Sequence, residues 1–155
     1  NKLYVLVGVP GSGKSTWVNN QVWSNDCTVV STDEFVEDYA KEVGSTYSEV
    51  FEDYMPTAVR LMADKVVRAR DMGRDIIWDQ TSTTPQSRTR KFNMLPDYYK
   101  IAVVFKTPPA SELQKRLTSR PGKKIPWEVV SQMAQQLEAD PPSVEEGFDE
   151  IWYAE

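Results

Sequence analysis

The sequence predicts an α/β domain, a sheet of about five parallel strands layered between helices, and three observations carry that prediction. Short apolar runs alternate with helical punctuation, with no repeat or low-complexity tract between them. The first run, Leu3-Tyr4-Val5-Leu6-Val7, leads directly into Gly8-Val9-Pro10-Gly11-Ser12-Gly13-Lys14-Ser15, a complete G-x-x-x-x-G-K-[ST] phosphate-binding loop. A chain of 155 residues suits one domain with one core, so residues 1–155 are expected to hold the whole site. Strand, glycine loop and helix in that order predict the three-layer sandwich of P-loop nucleotide-binding domains, with a helical lid; a tight glycine turn without a ligand is the alternative.

Five strands are expected: Leu3 to Val7, Thr28 to Ser31, Asp75 to Trp78, Ile101 to Phe105, and a closing strand near Ile151 to Tyr153. A helix from Lys14 to Asn25 follows the loop, and a long helical stretch runs from Tyr47 to Met72, with Pro56 marking a kink or break and Gly73 ending it. Thr84-Pro85 supplies an N-cap and a first helical residue. Ala110 to Arg120 continues after Pro108-Pro109, and Pro126 opens a helix through Gln136 that Pro141-Pro142 separates from the last strand.

Composition narrows the chemistry. At 40% hydrophobic and 26% charged, with no apolar run of membrane-spanning length and no small-residue cleavage site after the first strand, the chain is expected to be cytoplasmic and free of membranes. There is no histidine, which removes imidazole bases and His-containing zinc sites and leaves acid-base work to carboxylates. Cys27 is the only cysteine and reads as a small core residue beside Thr28, Val29 and Val30.

A net charge of −5 argues against a broad basic face for long duplex nucleic acid. The charge is uneven, however. Acids crowd Asp33 to Asp53, where the plain reading is a solvated helix face, and bases gather at Arg88, Arg90 and Lys91 and again from Lys115 to Lys124.

The loop glycines let backbone N–H groups turn inward on phosphate oxygens, Lys14 adds a point charge, and Ser15 would place its hydroxyl on a magnesium ion. Gly8, Pro10, Gly11, Ser12, Gly13, Lys14, Ser15 and Thr16, with Arg120 from the later basic run, are the expected ATP-binding set. In open α/β sheets ligands bind beyond the carboxyl ends of the strands, which singles out two acids. Asp33 follows the second strand and is the candidate catalytic base, the other reading being a helix N-cap. Asp79 closes the third and is the candidate metal-site acid, the other reading being a turn residue. Arg116 and Arg120, four apart, are expected on one face of a helix as a lid over the migrating phosphate, or else as solvated salt-bridge partners. Tyr39, Tyr47, Phe51 and Tyr54 carry the spacing of a helix core face and offer, alternatively, rings for stacking on a base.

With these segments in view, the chain resembles the phage-type polynucleotide kinases and their 5′-hydroxyl kinase relatives in nucleic-acid repair. The resemblance runs through Gly8 to Trp17, Ser31-Thr32-Asp33-Glu34-Phe35, Ile77-Trp78-Asp79-Gln80-Thr81, Lys115-Arg116 to Arg120 with Ile125-Pro126, and Pro142 to Phe148. It implies a transfer of the ATP γ-phosphate to a nucleic-acid hydroxyl, with Asp33 as general base, Asp79 and Ser15 at the Mg2+ and Arg116 and Arg120 in the lid. One position departs from the pattern. In the phage enzyme an arginine three residues after the base grips the acceptor's phosphate; here Val36 stands there, leaving Arg88, Arg90 or Lys91 to supply that contact. The phage enzyme's phosphatase domain has no counterpart expected in this chain. A kinase of another hydroxyl, such as a hydroxymethyl group on a modified base in phage DNA, a nucleoside or a small metabolite, and a non-enzymatic nucleotide-binding module stay open beside that reading.

Overall fold

The computed structural model describes residues 1–154. Its strands are β1 (Lys2–Val7), β2 (Cys27–Val30), β3 (Asp75–Trp78), β4 (Tyr99–Phe105) and β5 (Glu150–Ala154), and its helices are α1 (Lys14–Asn20), α2 (Thr32–Val43), α3 (Tyr47–Asp71), α4 (Pro85–Phe92), α5 (Ala110–Thr118) and α6 (Trp127–Ala139). The strands form one sheet in the order β2-β3-β1-β4-β5, every pair parallel. Parallel strands need both faces covered, which is why β1 is apolar from Leu3 to Val7. Leu3, Val5 and Val7 pack against Met62, Val66 and Ala69 of α3 and Leu137 of α6, while Tyr4 and Leu6 pack on the other face with Val18 of α1 and Phe105. A third apolar cluster joins Val9 of the loop to Leu113 and Leu117 of α5 and Val130 of α6.

The five strands and the α/β architecture agree with expectation, and several helical details differ. The first helix stops at Asn20 instead of Asn25. Gln21 is extended there, its side-chain amide donates to the Trp17 carbonyl, Ser24 Oγ donates to Val18 O and Gln21 O, and a short 3-10 turn covers Val22–Asp26. Pro56 does not divide α3, which runs 25 residues; Pro56 and Glu52, whose carbonyl loses its helical partner, are both exposed, so that carbonyl is open to solvent. Helix α2 was not among the expected helices. Its signals were nonetheless local: Ser31 caps it by accepting from Glu34 N–H, Asp33 and Glu34 sit in its first turn, Val36 and Ala40 are its buried stripe, and Gly44 at φ 71° ends it.

Candidate active site

The phosphate-binding loop lies between β1 and α1, at the carboxyl end of the central strand. Gly11 and Gly13 have φ of 82° and 100°, a left-handed backbone that favours glycine. Gly8 is required for another reason: a Cβ there would lie 2.6 Å from Ser12 Oγ and 2.9 Å from Phe105 Cβ. The loop is braced by Gly8 N–H donating to Thr81 O (3.0 Å), beyond the end of β3. Ser12 Oγ is buried with no hydrogen-bond partner. Lys14 Nζ curls back to donate to Gly8 O and Val9 O at 2.8 and 2.9 Å. An orphaned hydroxyl and a desolvated ammonium within a glycine loop fit a polyphosphate, which would supply acceptors to both.

Burial pulls the Lys14 ammonium down to about 8, with Asp79 and Asp33 resisting and Arg120 and Lys123 assisting. In the ligand-free protein Lys14 therefore begins to lose its proton near that pH, whereas a bound polyphosphate holds the proton on. ATP binding above about pH 8 is expected to take up a proton, and affinity to fall with rising pH by up to about tenfold per unit. Calorimetry in buffers of different ionisation enthalpy reads both; a flat affinity from about pH 7 to 9.5 would refute the linkage.

Asp79 follows β3, its N–H donating to Val30 O at 2.8 Å. Burial raises its carboxyl above the ordinary carboxylate range, opposed by Lys14 and reinforced by Asp33. Asp33 is the second residue of α2 and is not the N-cap, which is Ser31. Its carboxylate accepts from Tyr47 Oη at 2.6 Å on Oδ1 and from Lys123 Nζ at 2.9 Å on Oδ2. Among the described residues no cluster of three or more acids or cysteines could cage a metal ion. Ser15 and Asp79, the expected Mg2+ residues, both line the cleft beside the phosphate loop, and a Mg2+ ion on a nucleotide needs only one or two protein oxygens.

The expected arginine pair is placed differently. Helix α5 ends at Thr118, so Arg116 is helical and Arg120 lies in the following loop. Thr118 and Ser119 hydroxyls donate back to Lys115 O and Arg116 O, and Pro121 disfavours a helical conformation at Arg120. Arg116 reaches the loop directly, donating to Gly11 O at 2.9 Å while pairing with Glu112 at 2.7 Å. Arg120 faces the same cleft and forms no ion pair among the described residues.

One cleft of about 2230 Å3 gathers Pro10 to Thr16, Asp33, Asp79, Arg116 and Arg120. That exceeds the few hundred to about 1,000 Å3 of a pocket for one small ligand, so a nucleotide leaves room for a second substrate. Seven lysines and arginines line it against five acids. The basic group at Arg88, Arg90 and Lys91 does not reach it, and Arg90 is exposed outside its lining. Arg88 is fully buried, pairing with Glu146 at 2.6 Å and donating to Ser82 O and Asp140 O; Lys91 is buried on Ser87 O and lies 5.4 Å from the Trp78 ring centre. Neither is free for an acceptor phosphate, and Val36 is fully buried in the core. The sequence reading missed Tyr47 and Lys123 as neighbours of Asp33, and Lys123 was legible only as part of a basic run.

Residues 3–140 match the family model described as AAA domain. The chain belongs to the AAA domain family. Its fold is the one that P-loop kinases of known structure share. The chain is 25% identical to a chain of the Pnkp1/Rnl/Hen1 RNA repair complex, with a TM-score of 0.71 over 96% of this chain and 46% of the other, so it spans a little under half of that neighbour's length. A putative kinase from Chloroflexus aurantiacus superposes with a TM-score of 0.62 at 15% identity, covering 99% of this chain and 84% of that one. Shikimate kinase from Bacteroides thetaiotaomicron gives 0.54 at 18% identity, covering 99% and 86%. No helix among the described residues is long and apolar enough to cross a membrane.

Proposed function

We propose that this domain transfers the γ-phosphate of ATP to a hydroxyl of a nucleic acid, as a polynucleotide 5′-hydroxyl kinase. The observation that carries the reading is the meeting of Lys14 of the phosphate loop and the carboxylate of Asp33 in one cleft with room for two substrates. The likeness to a chain of an RNA repair complex supports the nucleic-acid acceptor. When bound, Mg2+ would neutralise phosphate charge and hold the terminal phosphates in line, with Ser15 and Asp79 as its protein oxygens. The chain's own residues do the remainder. Loop amides and Lys14 bind the phosphates, Asp33 takes the acceptor's proton, and Arg116 and Arg120 stabilise the charge on the migrating group. Leu113 and Leu117 seat the lid helix against the loop, which fixes Arg116 over Gly11.

A second reading is favoured by one observation: Val36, Arg88 and Lys91 are all buried, so the grip on an acceptor phosphate that the phage-type pattern implies is missing from those positions. A kinase of a hydroxymethylated base, a nucleoside or a small metabolite needs no such grip. A panel of acceptors with labelled ATP decides. Label on 5′-hydroxyl oligonucleotides of RNA or DNA is the expected result; label only on hydroxymethylated DNA, nucleosides or small alcohols would replace it with the second reading, and ATP binding without transfer to any acceptor would leave a nucleotide-binding module.

A further inference from the structure

The two oxygens of the Asp33 carboxylate are held by two different partners, a phenol on a helix start and an ammonium from a loop. Oδ1 accepts from Tyr47 Oη at 2.6 Å, and Tyr47 is the first residue of α3. That helix start is fixed by a reciprocal cap, with Glu49 N–H donating to Thr46 Oγ1 and Thr46 N–H donating to Glu49 Oε1. The Tyr47 ring is packed as well: the Phe51 ring centre lies 5.4 Å away and the Lys123 ammonium stands 4.4 Å from the Tyr47 ring centre. Burial, and then the bond to Asp33, push the phenol well above its ordinary range, so it remains a donor at working pH. Oδ2 is different. Its partner, Lys123 at 2.9 Å, comes from the loop between α5 and α6 and also stands 3.7 Å from Glu37. A flexible ammonium with a second carboxylate within reach can shift off Oδ2 without losing all its pairing.

A general base needs one oxygen turned toward the acceptor's O–H at hydrogen-bond distance, and a carboxylate free to rotate offers that geometry only part of the time. We propose that Tyr47 is a positioning residue for Asp33: it pins Oδ1 and reserves Oδ2, the oxygen now paired with Lys123, to receive the proton of the acceptor. The inference rests on the reading of Asp33 as base. In the step, the acceptor oxygen forms its bond to the γ-phosphorus as the bond from that phosphorus to the β,γ-bridging oxygen breaks. The leaving electron pair stays on ADP, and the acceptor's proton passes to Oδ2.

The test is a double-mutant cycle in the full chain with Mg-ATP and a 5′-hydroxyl oligonucleotide, or with whichever acceptor the panel identifies. Tyr47→Phe removes one oxygen and keeps the ring, and its ATP affinity and melting temperature check that it folds. It is expected to lower kcat about tenfold or more while both KM values stay within about twofold. In an Asp33→Asn background the same change should alter the residual kcat by less than about twofold, because its route of action is gone. An unchanged kcat for Tyr47→Phe overturns the proposal, and so does an equal loss in both backgrounds, which would mark the phenol as purely structural. Parental turnover by Asp33→Asn alone sinks the base assignment itself, a failure visible before Tyr47 is touched.

Discussion

Asp33→Asn is expected to bind ATP within about twofold of the parent and to lose two to four powers of ten in phosphoryl transfer. Asparagine keeps the shape of the side chain and an oxygen for the Tyr47 hydroxyl, and it removes the negative charge and with it the capacity to accept a proton. The Asp33 side chain is 48% exposed, so its pairing with Lys123 is worth on the order of 1 kcal/mol or less and its loss does not threaten the fold. Removing a positioned general base costs about 10²- to 10⁴-fold, or roughly 3–5 kcal/mol of barrier. A second consequence separates this variant from a simple binding defect. Asp33 is one of the two acids that keep Lys14 protonated, so its neutralisation should shift the decline in ATP affinity to lower pH. Single-turnover transfer measured beside equilibrium ATP binding reads both effects, and turnover within a few-fold of the parent would remove Asp33 from the mechanism.

Arg88→Ala should be strongly destabilising, on the scale of emptying a core position. The guanidinium is fully buried, holds the largely buried Glu146 carboxylate through Nε and Nη2, and donates to the carbonyls of Ser82 and Asp140. Alanine leaves an unpaired carboxylate, two orphaned carbonyls and a cavity. Breaking a buried pair from one side costs about 3–5 kcal/mol, a large part of the roughly 5–15 kcal/mol that holds a domain together. Ser82 adds a local effect, since it is held at φ 49°, a conformation unusual for a non-glycine residue, three positions after Asp79. Urea unfolding should show the loss in midpoint at unchanged slope, and replacing Arg88 and Glu146 together by methionine should recover much of it. A loss below about 1 kcal/mol would mean that the pair is not buried in solution.

These two residues also mark where the sequence was legible and where it was not. The phosphate loop could be read because its chemistry is contiguous: every residue from Gly8 to Thr16 is placed by its own neighbours and by the strand before it. The place of Asp33 and Asp79 in the cleft was legible because Asp79 directly follows the apolar run of β3 and Asp33 comes three residues after the end of β2, in the first turn of α2. Arg88 looked like a phosphate contact because nothing local announces burial; its partner Glu146 lies 58 residues away. Lys123 and Tyr47 meet at Asp33 from 90 and 14 residues away, a proximity made by the lid loop folding over the start of α3, with Ser48 N–H donating to Gly122 O and Lys124 N–H to Ser48 Oγ. The reading of Tyr39, Tyr47, Phe51 and Tyr54 as one helix's core face does not hold: Tyr39 lies on α2 and stacks on Tyr54 of α3 at 4.0 Å, and the buried stripe of α3 is Ala58, Met62, Val66 and Ala69. Phe51 on the same helix stays 41% exposed at the cleft wall.

The cationic majority of the cleft, set in a chain of net charge −5, gives the molecule two electrostatic faces. A distant polyanion senses the whole and is turned away; one that has crossed the rim senses Lys14, Arg120 and their neighbours and is retained. Added salt therefore acts in opposite directions on arrival and departure, quickening encounter by damping the outer repulsion while hastening escape by weakening the inner grip.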